Sequence, residues 1–128
     1  MQAQMVAAVA VAGALGASAR YVLTLMLRGI LPDSAWPIAL VNVVGCFGFG
    51  VCWGAFGERL SQPMAVAVLA GFFGAFTTFS AFAFDGVALL GERRLLACLG
   101  NILFQNVVGM GCLWLGIQLA SSGSGRGV

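Results

Sequence analysis

The chain has 128 residues, a formal net charge of +2, 61% hydrophobic and 8% charged residues, and a mean hydropathy of +1.03. No soluble domain of this length hides so much apolar surface, so the composition excludes a water-soluble protein and predicts one polytopic membrane domain. The charge is too small and scattered for nucleic-acid binding, and the absence of histidine excludes a histidine-based metal site or proton relay.

The first span is predicted over residues 5–27, closed by Arg28-Gly29 through Pro32-Asp33. Its apolar start and the Ala17-Ser18-Ala19 triplet resemble a secretory signal. The positive n-region is missing, however, and apolar character resumes after Arg20, which predicts a membrane helix. A charge as deep as Arg20 costs at least ~2.5 kcal/mol on insertion scales. It either faces an aqueous vestibule and draws anions, or snorkels to an interface beside Tyr21.

The second span, 36–56, ends at Gly57-Glu58-Arg59 and carries Asn42 in the run Leu40-Val41-Asn42-Val43-Val44. The Asn42 amide can donate to an anion or cross-link helices. Gly45, Gly48, Gly50, Gly54 and Gly57 read as close-packing positions, as do Gly13, Gly16, Gly109, Gly111 and Gly116.

The third span, 63–90, opens at Pro63 and closes at Gly91-Glu92-Arg93-Arg94. Its middle is poor helix material. Gly71 and Gly74 loosen the backbone, and Thr77-Thr78 is a β-branched pair that competes for backbone hydrogen bonds. A break is predicted here, freeing carbonyl oxygens for a cation and N–H and hydroxyl groups, with Thr78 and Ser80 at hand, for an anion. Phe79 and Phe82 sit three apart and share a helix face, where two positively polarised ring edges can meet a small anion. The plainer alternative is a phenylalanine-rich packing helix. Asp85 is the acidic candidate late in this span.

The fourth span, 95–120, carries Asn101, Gln105 and Asn106, the first two one turn apart. Each polar residue alone is explained by interhelical hydrogen bonding. Polar sets on three different spans favour a shared cavity. Residues 121–128 read as a linker-like, flexible tail. Cys46, Cys52, Cys98 and Cys112 lie in apolar spans without a C-x-x-C pair and read as free thiols acting as small hydrophobes.

Four spans put both termini on one side. Arg59 and Arg126 lie on that side, and Arg28, Arg93 and Arg94 lie opposite, a balance too even to fix orientation. Such a chain can insert both ways and pair as an antiparallel dimer, and four short helices leave little room for a pore within one subunit.

Gly74-Ala75-Phe76-Thr77-Thr78-Phe79-Ser80-Ala81-Phe82 resembles the third-helix signature of the Fluc/CrcB fluoride channels, G-G-[FL]-[TS]-T-F-S-[TS]-[FW]. Gly13-Ala14-Leu15-Gly16-Ala17-Ser18-Ala19-Arg20-Tyr21 resembles the first-helix G-x-x-G-A-x-x-R-[YW], and Val41-Asn42-Val43-Val44-Gly45-Cys46-Phe47 the second-helix V-N-x-x-G-x-[FL]. The resemblance extends over the whole chain in span count and motif order. It implies an all-α, four-helix membrane fold with a broken third helix, assembled as a dual-topology antiparallel homodimer with two pores. It also implies passive fluoride export across the cell membrane.

By the same resemblance Phe79 and Phe82 contact fluoride, Asn42 is the pore asparagine, and Arg20 lies by a vestibule. Thr78 and Ser80 accompany the pore, and Asn101 and Gln105 take the fourth-helix polar track. The carbonyls of Gly74 and Thr77, doubled by symmetry, hold a structural Na⁺ at the dimer interface. Departures from the family pattern are Ala75 for the second glycine, Ile38 for a pore-side threonine, Asp85 for a glutamate at the pore mouth, and Asn101 and Gln105 for Tyr and Ser.

The residues are weighed against two other classes. A multidrug- or guanidinium-type exporter of the same size needs an intramembrane carboxylate in its first span, where this chain has Arg20. A partner subunit of a heterodimeric channel is suggested by Ile38 and Asp85. An enzyme has no support in nucleophile, cysteine-pair or phosphate-loop motifs.

Overall fold

The computed structural model describes residues 2–31, 33, 35–57 and 60–122. Among these residues the chain is all-helical, with four spans long and apolar enough to cross a membrane. They are α1 (Gln2–Arg28), α2 (Trp36–Phe56), a third span over Gln62–Gly91, and a fourth over Leu95–Ser122. The third divides into α3, residues 62–76, and α4 (Phe79–Gly91), and the fourth is α5. The span edges extend one to three residues past five of the eight expected limits, because helical ends are set by capping and packing that hydropathy does not report. Ser121 and Ser122, expected in a tail, close α5, with the Ser122 hydroxyl bonded to the Gln118 carbonyl at 2.8 Å. The expected turn residues Pro32, Glu58 and Arg59 and the tail from residue 123, Arg126 included, lie outside the described residues.

Two close-packed seams hold the bundle. α1 lies along α3, and Gly16 makes this possible: a Cβ there would collide with the backbone carbonyl of Phe72. α2 lies along the later part of α5, where Gly50 faces the Leu113 carbonyl and Gly116 faces the Phe47 carbonyl just as tightly. In a bilayer, where lipid is as apolar as leucine, such backbone approach is a principal source of helix association. Gly111 is a correction to the packing expectation, since nothing lies within 4 Å of a Cβ placed on it.

α2 is the most enclosed helix. Pro37, Ile38, Ala39 and Val41 are buried, while Leu96, Met110, Trp114 and Val22 turn outward. Outward apolar side chains on every span are what lipid contact requires.

Two stretches were not foreseen. At Val66–Phe73 and Phe104–Val108 the helices widen to i→i+5 hydrogen bonding. Such bulges shift the register of side chains beyond them and recur at functional sites.

Past α4 the chain turns through Arg93, a non-glycine residue at φ 58°. Arg94 N–H donates to the Leu89 carbonyl at 2.9 Å and Arg93 N–H to the Leu90 carbonyl at 3.0 Å, closing the helix in a Schellman motif. Arg94 then reaches Asp33 before α2, and also Glu92 at 3.2 Å. The Arg94 guanidinium, and after it the Ala35 N–H, hold the Asp33 carboxyl below its ordinary range. Ala35, Leu89 and Cys98 form a small apolar cluster behind this clamp.

Candidate functional site

The site begins with a failure of helix. Thr77 (φ −82°, ψ 153°) and Thr78 (φ −146°, ψ 111°) are extended, and α3 stops where the sequence places the break. A helix end leaves its last four carbonyls without intrahelical donors. Two of the displaced donors have a visible alternative destination. The Thr78 N–H, the i+4 donor for Gly74, goes instead to Asn42 Oδ1 at 2.9 Å. The Ala81 N–H, the i+4 donor for Thr77, goes to Thr78 Oγ1 at 3.4 Å, capping α4. The Ala75 carbonyl accepts from Arg20 Nε at 3.2 Å.

Arg20 therefore places its charge at the negative end of the α3 dipole, and the positive end of α4 opens beside it. Arg20 is half-buried and tied to the break, while Tyr21 is exposed.

Asn42 is the clamp. Besides accepting from Thr78, its Nδ2 donates to the Thr78 carbonyl at 3.3 Å and to Gln105 Oε1 at 2.6 Å. Gln105 Nε2 donates to Asn101 Oδ1 at 2.7 Å. Asn101 is 1% exposed, and its Nδ2 has no partner among the described residues. Helices α2 and α5 and the α3–α4 break thus converge through one row of amides, as the polar residues on separate spans suggested.

Beside this row lies a recess of about 230 Å³ lined by Asn42, Cys46, Thr77, Thr78, Phe79, Phe82, Gln105 and Asn106. The Phe79 and Phe82 rings, both in its lining, pack against each other with centroids 5.4 Å apart and planes tilted by 53°. Phe79 is 79% exposed, an unusual position for so large a ring. The other phenylalanines of the window divide differently. Phe72, Phe73 and Phe76 pack on one another, with Phe72 stacked on Phe76 at 5.9 Å, while Phe84 is exposed. Before the break the phenylalanines pack, as the plainer alternative expected, and after it Phe79 and Phe82 line the recess.

Ser80, expected at the pore, is exposed and outside the lining of the recess, its hydroxyl 3.2 Å from that of Thr78. Gly74 is exposed, and a Cβ on it would meet only the Leu69 carbonyl at 3.9 Å. Asp85 lies elsewhere, in a hollow of about 100 Å³ with Arg28, Phe84 and Glu92. Its Oδ2 is buried without a partner among the described residues. Ile38 is buried in the packing of α2, away from the lining of the larger recess.

One lining residue, Cys46, reads in the sequence only as an apolar thiol, and Asn106, named in the fourth-span polar set, is not assigned to the pore there. Cys46 follows Asn42 by one helical turn and so shares its face, a signal that apolar surroundings obscured. Gln105 and Asn106 are adjacent yet both reach the recess, within the widened turn Phe104–Val108 that hydropathy does not reveal.

The arrangement brings hydroxyl and amide donors, ring edges and a helix N-terminus to one narrow place, which is the equipment for holding a small anion. Comparison with known proteins agrees. The family described as CrcB-like protein, Camphor Resistance (CrcB), matches residues 7–117. A fluoride-specific ion channel FluC from Solidesulfovibrio magneticus is 44% identical over 114 residues, covering 87% of this chain and 91% of that protein. The FluC of Nitratidesulfovibrio vulgaris is 39% identical over 127 residues, covering 96% and 98%. That of Nitrosococcus oceani is 38% identical over 120 residues, covering 91% and 96%. With its four spans, the broken third helix and this extent of likeness, the chain belongs to the CrcB-like family of multi-pass membrane proteins.

Proposed function

We propose that the chain is a fluoride-selective passive channel that lets F⁻ leave the cytoplasm down its electrochemical gradient. The observation that carries this reading is the recess at the break, lined together by Phe79, Phe82 and the amides of Asn42, Gln105 and Asn106. Relatives named fluoride-specific ion channel support it. Fluoride is small and tightly hydrated, so it crosses only where fixed donors replace water. Thr78 Oγ1, Ser80 Oγ and the amide N–H groups supply hydrogen bonds. The two ring edges supply weaker positive contact, and the α4 N-terminus adds its dipole. Among the described lining residues there is no carboxylate, so the recess offers no group for the proton exchange that a cation exporter requires.

The working unit in this reading is an antiparallel homodimer with two pores. Support comes from the near-even distribution of arginines and from the exposed face of Gly74 and Phe79, which a second copy would cover. A structural Na⁺ belongs to the same proposal. Gly74 and Thr77 fit it because theirs are the carbonyls whose helical donors are diverted to Asn42 and Thr78, leaving hard oxygen ligands. One chain supplies two such oxygens, and a symmetry mate would supply two more. When bound, the ion would cross-link the copies and neutralise the facing ends of the two α3 dipoles.

A growth assay tests the function. In bacteria lacking their own fluoride export, the chain should restore growth in millimolar fluoride. Persistent sensitivity, with the protein present in the membrane, would count against the channel. Replacing Na⁺ by a much larger cation should loosen the purified dimer, and indifference to the cation would remove Na⁺ from the proposal.

A further inference from the structure

The backbone of the break dictates the orientation of every amide in the row. An N–H only donates and a carbonyl only accepts. Asn42 bonds both groups of Thr78, so Oδ1 must face the Thr78 N–H and Nδ2 the Thr78 carbonyl. The remaining Nδ2 hydrogen points at Gln105, which must present Oε1. Gln105 then turns Nε2 to Asn101, which must present Oδ1. The row ends on Asn101 Nδ2, a buried donor with no partner among the described residues.

Two consequences follow. Both Asn42 N–H groups are already spent, so an anion in the recess finds its asparagine donor occupied by the Gln105 oxygen. The far end of the row carries an unmade hydrogen bond in either orientation, at Asn101 Nδ2 as it stands and at Oδ1 if reversed, so only an anion at the near end gives the row a reason to reverse. If the carboxamides of Gln105 and Asn101 both rotate by half a turn, Asn101 Nδ2 donates to Gln105 Oε1. Gln105 Nε2 then faces Asn42 Nδ2, and two donors cannot share the 2.6 Å that the bond to Gln105 Oε1 spans, so the Gln105 side chain must also draw back and open a gap between them. That space suits an anion and repels anything that only donates.

We propose that Gln105 and Asn101 form a reversible amide row that fluoride inverts. At rest Gln105 Oε1 latches Asn42, and on entry the anion takes the place of that oxygen and is held between Asn42 and Gln105. The proposal rests on the fluoride reading of the recess and adds specificity-determining roles to Gln105, which touches the ion, and Asn101, a positioning residue behind it. No covalent bond or proton transfer is involved.

Side-chain amide resonances test it directly. The sequence has three asparagines, Asn42, Asn101 and Asn106. Protein carrying ¹⁵N-labelled asparagine and glutamine, assembled in detergent micelles, would be titrated with sodium fluoride and, separately, sodium chloride. Fluoride should shift the Asn42, Gln105 and Asn101 NH₂ pairs with a single midpoint, while chloride leaves them in place. Asn101 is diagnostic, being 1% exposed and absent from the recess lining. A shift at Asn42 with Asn101 unmoved would mean direct binding without inversion and would overturn the proposal, as would no shift at all.

The Gln105→Met variant removes the connection at similar volume. The Asn42 pair should move toward its unbonded position before fluoride is added, and Asn101 should no longer respond to fluoride. A persistent Asn101 response would exclude the row as the route. Fluoride release from vesicles, measured on the same preparations, separates the two failures. Release without an Asn101 shift sinks the row alone, and neither release nor shift sinks the channel reading as well.

Discussion

Replacing Asn42 by alanine removes the side chain that holds the break open. Three hydrogen bonds are lost, to the Thr78 N–H at 2.9 Å, the Thr78 carbonyl at 3.3 Å and Gln105 at 2.6 Å. Interhelical hydrogen bonds in membrane proteins average about 0.6 kcal/mol, so three amount to roughly 2 kcal/mol. Stranding the Thr78 N–H would add about 1–3 kcal/mol, but this group has somewhere to go. It can return to the Gly74 carbonyl, its i+4 partner, and heal the helix across the break. The expected loss is therefore about 2 kcal/mol, or a fall in melting temperature on the order of 5–10 °C, together with loss of fluoride flux because the site closes. Thermal unfolding in detergent, followed by the fluorescence of Trp36, Trp53 and Trp114, would measure it. Asn106→Ala is the control for stability, since the Asn106 amide bonds the Ile102 carbonyl one turn back on its own helix, at 2.7 Å. Equal melting temperatures for the two variants would refute the clamp.

Gly16→Ala should destabilise by about 1–3 kcal/mol, because its Cβ meets the Phe72 backbone, which cannot yield as a side chain would. Gly100→Ala, exposed within α5 with nothing within 4 Å, should instead gain about 0.5–1 kcal/mol, and the same melting assay checks both signs. The Asp33 carboxyl is held below its ordinary range, so its contribution is present above the unfolded pKa of about 3.9 and is lost as pH falls through the lower folded value. Arg94→Ala should consequently flatten the acid side of the stability profile, and an unchanged profile would deny the clamp between the two loops. Phe82→Ile should reduce fluoride flux at least tenfold while leaving the assembly intact by size-exclusion chromatography, on the order expected for losing a ring that replaces water around the ion. Undiminished flux would take Phe82 out of the path.

Much of this was legible in the sequence because membrane helices obey a simple solvent rule. Four apolar runs gave four spans, and Gly74 with Thr77-Thr78 located the break, since β-branched residues that bond their own backbone are poor at carrying a helix through its middle. Asn42, Asn101 and Gln105 stood out because polar groups are costly in such surroundings. Their order within one directional row was not legible. It depends on which atom Thr78 offers to Asn42, a matter of backbone dihedrals. Asn106 stood out as polar, but its reach into the recess beside its neighbour Gln105 was hidden, because the widening at Phe104–Val108 shifts side-chain register without changing composition. Arg20 was legible as important but not in its task, since its partner Ala75 is a backbone carbonyl with no mark in the sequence. Asp85 was put at the pore mouth by the family resemblance alone, and it lies in a hollow with Arg28 and Glu92, apart from the lining of the larger recess.

The most direct test of the central claim is ion release from liposomes containing only this purified chain and loaded with fluoride and chloride together, each followed by its own electrode. Selective holding of a small anion at the break of the third helix predicts rapid fluoride efflux with chloride retained, and loss of that efflux in Asn42→Ala. Release of both ions together, or retention of fluoride by a well-folded protein, would contradict the account.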